Sequence, residues 1–216
     1  QFVQSAEALA IKGKTQDAIS LLSQAMDVGA DRYQCLLKQA KLYQKAKLLN
    51  KAAETAMQAI IEYPDRLPAR EAVVSLLLET GNYEDAVTAA RDLLRISPCH
   101  LPAHDALGAA YLGMGNVNAA IRVAHNLVRI DPENPGHRLT RGHLLLHAGE
   151  IALAVIDFEW VLEMAAEDEQ AEFARTQLQE LDITQCNQIL ILALEDAVFR
   201  SRLRSEPQVA ITERGY

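Results

Sequence analysis

LGAAYLGMGNVNAAI, residues 107–121, holds three glycines and ends in a run of small side chains. Glycine-rich segments often cradle phosphates, but such a cradle follows a strand and opens a helix. The decisive question is whether the pattern occurs once or recurs. Sliding the sequence against itself gives a period of 34 residues: Ala18, Ala52, Ala86, Ala120 and Ala154 fall in one column without an insertion or deletion. Gly13, Gly81, Gly115 and Gly149 form a second column, with Lys47 as the exception. Pro64, Pro98 and Pro132 form a third, where the first and last repeats hold Ala30 and Ala166. Leu9, Tyr43, Leu77, Tyr111 and Leu145 form a fourth.

Each column has a physical cause. The glycine marks the end of a first helix, where the chain reverses through a positive φ that a Cβ makes costly. The alanine sits early in a second helix, where two helices cross closely and a larger side chain would force them apart. The proline ends that second helix, because it cannot donate the next backbone hydrogen bond. Between these marks the apolar spacing is helical: Ala103, Ala106, Leu107, Ala110, Tyr111 and Met114, then Ala120, Val123, Ala124, Leu127 and Val128. The pattern is a helix hairpin repeated five times, over residues 1–32, 33–66, 67–100, 101–134 and 135–168. On this reading Gly108 is a close-packing residue, and Gly113 is left over, free to let a partner's backbone approach.

The 34-residue hairpin resembles the tetratricopeptide repeat (TPR). The repeat from Leu101 to Asn134 carries Leu107-Gly108, Tyr111, Gly115, Ala120, Ala124 and Asp131-Pro132 in that family's order, and the resemblance covers Gln1 to Asp168. It implies an all-α, right-handed solenoid with the first helices lining its concave side. The family's early Trp column holds Phe2, Leu36, Arg70, His104 and Arg138, which predicts looser packing at the start of the last three first helices. Because repeats need a polar end, Glu169–Leu181 is expected as a capping helix within residues 169–183, with Phe173, Leu178 and Leu181 facing inward. Residues 184–216 form a tail, in which Asn187–Arg204 reads as one helix broken by Pro207, closing the solenoid or filling its groove.

Composition narrows the functional classes. A net charge of −8 argues against a general nucleic-acid binder, which needs a basic face. No apolar run is long enough to span a membrane. Cys35, Cys99 and Cys186 are far apart and odd in number, so free buried thiols are expected and neither a disulfide framework nor a zinc knuckle. No Walker, GxSxG or HExxH string occurs, so no catalytic residue, cofactor or metal is assigned. His137, His143 and His147 offer a metal alternative; His100, His104 and His125 read as interrepeat or surface positions without evident partners.

What remains is a surface for a protein or peptide. Family-like geometry places groove-facing side chains at Gln34, Leu37, Lys41, Gln44 and Lys45 in the second repeat, and at Glu71, Ser75, Leu78 and Glu79 in the third. The fourth supplies Asp105, Ala109, Leu112 and Gly113, and the fifth Leu139, His143, Leu146 and His147. The groove is thus basic near the second repeat, acidic near the third, then small and apolar, with histidines at its end. The Lys/Asn/Arg clamp by which some family members hold chaperone C-termini is absent: Leu37 with Lys41 and Glu71 with Ser75 stand where it requires Lys and Asn. A cytoplasmic interaction scaffold without its own catalysis is the expectation, with homo-oligomerisation through the repeat ends or tail. The alternative is a recognition or oligomerisation module of a larger methyltransferase, glycosyltransferase or sulfotransferase, which an abrupt start at Gln1 and end at Tyr216 would suit. Residues 199–215 also resemble the leader helix of nitrile hydratase α-type peptides, through Phe199, Arg202-Leu203, Pro207, Ala210, Glu213 and Gly215, implying a tail read by a modifying enzyme.

Overall fold

The structure, a computed structural model, describes residues 2–165 and 169–215. Among the described residues there are thirteen α-helices and no strand. They fall into two compact units, Gln1–Pro132 and Glu133–Tyr216.

The first unit holds four antiparallel hairpins: α1 (Phe2–Ile11) with α2 (Thr15–Asp27), α3 (Arg32–Lys45) with α4 (Leu49–Glu62), α5 (Leu67–Glu79) with α6 (Tyr83–Ile96), and α7 (Leu101–Gly113) with α8 (Val117–Ile130). Each hairpin turns through the same device. At the end of α7 the Gly115 N–H donates to the Leu112 carbonyl at 2.9 Å and the Asn116 N–H to Tyr111 at 2.8 Å. That pairing satisfies the orphan carbonyls of the last turn, and it requires the left-handed conformation that Gly115 adopts at φ 71°. The large apolar column of the sequence therefore supplies the carbonyl that receives the second bond. Lys47, the exception among the glycines, makes the same turn at φ 59° with a full side chain. The turn is dictated by the repeat and not by glycine.

The alanine column is fully buried at all five positions, as a close helix crossing demands. Pro64, Pro98 and Pro132 each follow the residue that caps the helix before them, Tyr63, Ser97 and Asp131. In the first repeat a left-handed Gly29, at φ 87°, stops α2 instead. Prolines also start helices here: Pro68, Pro102, Pro135 and Pro207 occupy first-turn positions whose N–H has no helical partner.

At two of the three Trp-column positions expected to be loose, Arg70 and His104, a side-chain hydrogen bond is found. Arg70 Nη2 donates to the Pro64 carbonyl at 3.2 Å, and His104 Nε2–H donates to the Pro98 carbonyl at 2.9 Å, with the His104 ring buried. Both reach back six residues to the loop that precedes their helix. A polar side chain here ties down the interrepeat turn that an aromatic would have covered.

The second unit contains the fifth hairpin, α9 (Pro135–His147) with α10 (Ile151–Met164), followed by α11 (Glu169–Glu195), α12 (Ala197–Ser205) and α13 (Pro207–Glu213). α11 packs on α10 and touches α9. The expected cap and the first part of the tail are one helix, because residues 182–186 (DITQC) contain neither Gly nor Pro to stop it. The expected helix over 187–204 is instead broken at Asp196, whose carboxylate accepts from the Val198 and Phe199 N–H groups at 2.9 Å and starts α12. Arg214 also pairs with Asp196, and its carboxyl is held below the usual carboxylate range, chiefly by the bond from Phe199. Pro207 ends α12 and begins α13, so the mixed tail is helical as far as Glu213. Within the expected cap, 169–183, the buried residues are Ala171 and Ala174, while Phe173 is 38% exposed and Leu178 and Leu181 are half-buried. Ala166 of the proline column, and the outer limits at Gln1, Asp168 and Tyr216, lie outside the described residues.

The fifth hairpin departs from the others inside. Asp157 is fully buried; Arg141 Nε donates to it at 2.7 Å, its Nη2 forms a second bond, and Arg138 Nη1 lies 3.4 Å away. One repeat earlier the same two columns hold Leu107 and Val123, an apolar pair. Phe158 is likewise fully buried where the fourth repeat has Ala124, and Gly142 makes room for it: a Cβ on Gly142 would stand 2.8 Å from Phe158 Cε1. The equivalent Gly108 has space to spare, with Val123 Cγ1 3.6 Å from such a Cβ. Close packing belongs to Gly142, not to Gly108.

Candidate partner-binding groove

In the first unit α3 touches α5 and α5 touches α7, so the first helices carry a shared face. Two recesses open on it. One, of about 420 Å³, lies between α5 and α7 over Val74, Leu93, Ala103 and Ala106, and is edged by Glu71, Ser75, Leu78, Asp105 and Ala109. Those five edge residues were all expected in a groove. The other, of about 280 Å³, lies between α1 and α3 over Ala6, Ala10, Leu22 and Leu42, and is edged by Lys41, Lys45, Lys38 and Glu7. Ala6, Glu7, Ala10, Lys38 and Lys41 stand 68 residues before Val74, Ser75, Leu78, Ala106 and Ala109, so the two recesses are one repeat feature met twice.

Their electrostatics differ. Lys38 pairs with Glu7 across the first recess, which leaves Lys41 and Lys45 as its exposed cations. At the second, Glu71 receives a bond from His100 Nε2 at 3.1 Å. The His100 tautomer is set by its other nitrogen: Nδ1 accepts from the Ala103 N–H at 3.2 Å and caps α7, so Nε2 carries the proton. Asp105 stands exposed beside it.

Between the recesses the face is closed by its own side chains. Gln44 Nε2 donates to Ser75 Oγ at 3.2 Å and to Glu79 at 2.7 Å, and Lys47 reaches the same carboxylate at 2.6 Å. The bonds from Lys47 and Gln44 hold the Glu79 carboxyl below its ordinary range. Glu79 is exposed but already neutralised. Gln34 and Leu112 are exposed, while Leu37 is buried among Tyr33, Leu36, Ala59 and Ala69 and faces no groove. Gly113 is exposed as well, and the Tyr83 ring lies where its Cβ would be. The missing side chain at Gly113 leaves room for a half-buried tyrosine from α6.

In the second unit Leu139 and Leu146 are half-buried and His147 is exposed. His143 meets Phe158 edge-on at 6.0 Å and Phe173 of α11 at 4.7 Å, so α11 covers that part of α9. Of the histidines expected at the groove's end, His143 is thus a packing residue, while His147 stays exposed. His100 and His104, expected to lack partners, have the ones described above. No three His, Cys, Asp or Glu side chains stand together as metal ligands among the described residues. All three cysteines are free, but only Cys35 is buried, which raises its thiol above the ordinary range; Cys99 and Cys186 are exposed. No described helix is long and apolar enough to cross a membrane.

The floor residues Ala6, Val74, Leu93 and Ala103 were not anticipated, although the 68-residue correspondence between recesses is a signal the sequence contains. The Arg141–Asp157 pair has a signal of its own, an acid at 157 in a column that holds Leu, Thr, Ala and Val in the four earlier repeats.

Tetratricopeptide repeat models match residues 34–66 and 107–179. No curated protein matches the chain. Similar solved structures include the thermophilic TPR protein TTC0263 of Thermus thermophilus, 19% identical with a TM-score of 0.61, covering 82% of this chain and 97% of that one. MamA 41-end of Desulfovibrio magneticus is 18% identical with a TM-score of 0.65, covering 78% of this chain and 95% of its own. A tetratricopeptide repeat protein of Parabacteroides merdae is 19% identical with a TM-score of 0.65, covering 88% and 74%. At these identities the likeness is one of fold.

Proposed function

We propose, because the chain is a tetratricopeptide repeat protein and such repeats serve as protein-interaction scaffolds, that the first-helix face of Gln1–Pro132 captures an extended segment of a partner protein. The observation that carries this reading is the pair of equivalent recesses with apolar floors and opposite rims: Lys41 and Lys45 at one, Glu71 and Asp105 at the other. Side chains of a bound segment fill the two floors, while its backbone crosses the Gln44–Ser75 bond between them. The segment is acidic over α3 and basic over α7. Preorganisation supplies affinity, since packed helices hold the rims in place and only the partner is ordered on binding. Recesses this shallow suit single side chains more than an enclosed small molecule.

The test is capture from native extract followed by mass spectrometry, with wild type compared against Lys41→Glu/Lys45→Glu. The reversal is expected to reduce capture of specific partners about tenfold while far-UV circular dichroism is unchanged, because both lysines are exposed. Equal capture by the two proteins would place the binding surface elsewhere.

A further inference from the structure

The strict 34-residue register makes each repeat a control for the others. Leu153, Ile156 and Trp160 lie on one face of α10, at i, i+3 and i+7. Leu153 is 48% and Ile156 56% exposed, Trp160 is half-buried, and Met164, one turn on, is 59% exposed. In the four earlier repeats the Leu153 column holds Asp17, Lys51, Asp85 and Ala119. The Ile156 column holds Ser20, Glu54, Thr88 and Arg122, and the Trp160 column Gln24, Gln58, Asp92 and Asn126. The outer columns are polar or small in every second helix except this one. Leu153 and Ile156 stay exposed although both α9 and α11 pack on α10. Large apolar side chains at three neighbouring positions of one helix, two of them exposed, are the mark of a docking surface.

The charge around the stripe defines what docks. α10 contains no Lys or Arg. Its exposed charges are Glu159 and Glu163, with Glu150 at its start. Arg138 covers one face of the Trp160 ring at 4.1 Å, but its guanidinium lies against Asp157 and adds little to the rim. Two copies of this helix laid together would oppose acid with acid and have no cation to answer it, which disfavours a second copy through this face. We propose that the Leu153–Ile156–Trp160 face of α10 docks a basic amphipathic helix of a partner protein, its apolar side chains on the stripe and its Lys or Arg residues against Glu159 and Glu163. This surface is separate from the first-helix recesses and does not depend on them.

Trp160 is the single tryptophan of the chain and sits in the surface it reports on. The probe is an 18-residue helical peptide of Leu and Lys, with Leu at i, i+3, i+4 and i+7, titrated into the full chain while tryptophan emission is followed. The expected result is a saturable blue shift at one peptide per chain. The charge-neutral variant Leu153→Asn/Ile156→Thr is expected to weaken binding at least about tenfold at unchanged melting temperature, whereas Lys41→Glu/Lys45→Glu leaves it unchanged. A peptide with Glu in place of Lys is expected not to bind. The proposal is overturned by an unshifted emission, or by equal affinity of the Asn/Thr variant, which reports non-specific attraction to an acidic protein. It is equally overturned if sedimentation reveals a dimer that the same variant dissolves, since a second copy then occupies the face.

Discussion

Gly108 and Gly142 occupy the same column of successive repeats, yet alanine is expected to stabilise only at the first. Both lie inside helices, where Gly→Ala contributes about 1 kcal/mol through reduced backbone entropy in the unfolded chain. At Gly108 the new Cβ meets only Val123 Cγ1 at 3.6 Å, an ordinary contact, so the gain is kept. At Gly142 it meets Phe158 at 2.8, 3.0 and 3.2 Å, and that ring is fully buried and lies edge-on to His143. Overpacking of this kind costs roughly 1–3 kcal/mol, which offsets or exceeds the gain. Gly108→Ala should therefore stabilise by about 1 kcal/mol, and Gly142→Ala should leave stability unchanged or lower it by up to about 2 kcal/mol. Urea unfolding followed by far-UV circular dichroism measures both, and Trp160 emission isolates the second unit. Phe158→Ala, which installs the side chain that Ala124 carries one repeat earlier, costs about 3–5 kcal/mol alone. In that background Gly142→Ala should regain its stabilising sign, giving a coupling that a double-mutant cycle reads directly. Stabilisation by Gly142→Ala equal to that by Gly108→Ala would refute the reasoning.

Two further outcomes follow from the same register. Lys47→Gly should stabilise by about 0.5–1 kcal/mol in thermal or urea unfolding, because relief of the left-handed strain at φ 59° outweighs a solvent-exposed bond to Glu79. Asp157→Val should destabilise by about 3–5 kcal/mol by stranding Arg141 and Arg138, whereas Asp157→Val with Arg141→Leu, the pair carried by the fourth repeat, should recover most of that loss; equal loss in single and double variants would count against the pairing.

The hairpins were legible because each boundary is set by a local residue with one physical reason: a left-handed turn, a proline, an alanine at a crossing. Lys47 shows why such marks are read as columns, since alone it would never be taken for a helix stop. The end of the chain was less legible. Nothing at residues 182–186 opposes helix, and the break at Asp196 comes from a cap bond that a polar residue makes only when the backbone presents two N–H groups to it. The groove was half legible. Positions carried over from the family found the edges of the α5–α7 recess, but exposure at a position depends on its neighbours. Tyr83 fills the space at Gly113, Phe173 covers His143, and Leu37 turns into the core. All three reflect tertiary partners far away in sequence, and a column holds no information about those.

The buried Arg141–Asp157 pair bears on how the helices of near-identical hairpins avoid exchanging partners during folding. Four of the five hairpins present apolar or neutral side chains at the Asp157 column, so none of their second helices carries a charge there. The two helices of the fifth hairpin are matched to each other by charge. Set against Leu107 or Val123, either Arg141 or Asp157 would be entombed without its counter-charge, at a penalty of several kcal/mol. Arrays of similar modules are prone to misassembly between neighbours. An ion pair hidden inside one module acts as an address label: it adds little to the depth of the correct state and raises the energy of the wrong ones.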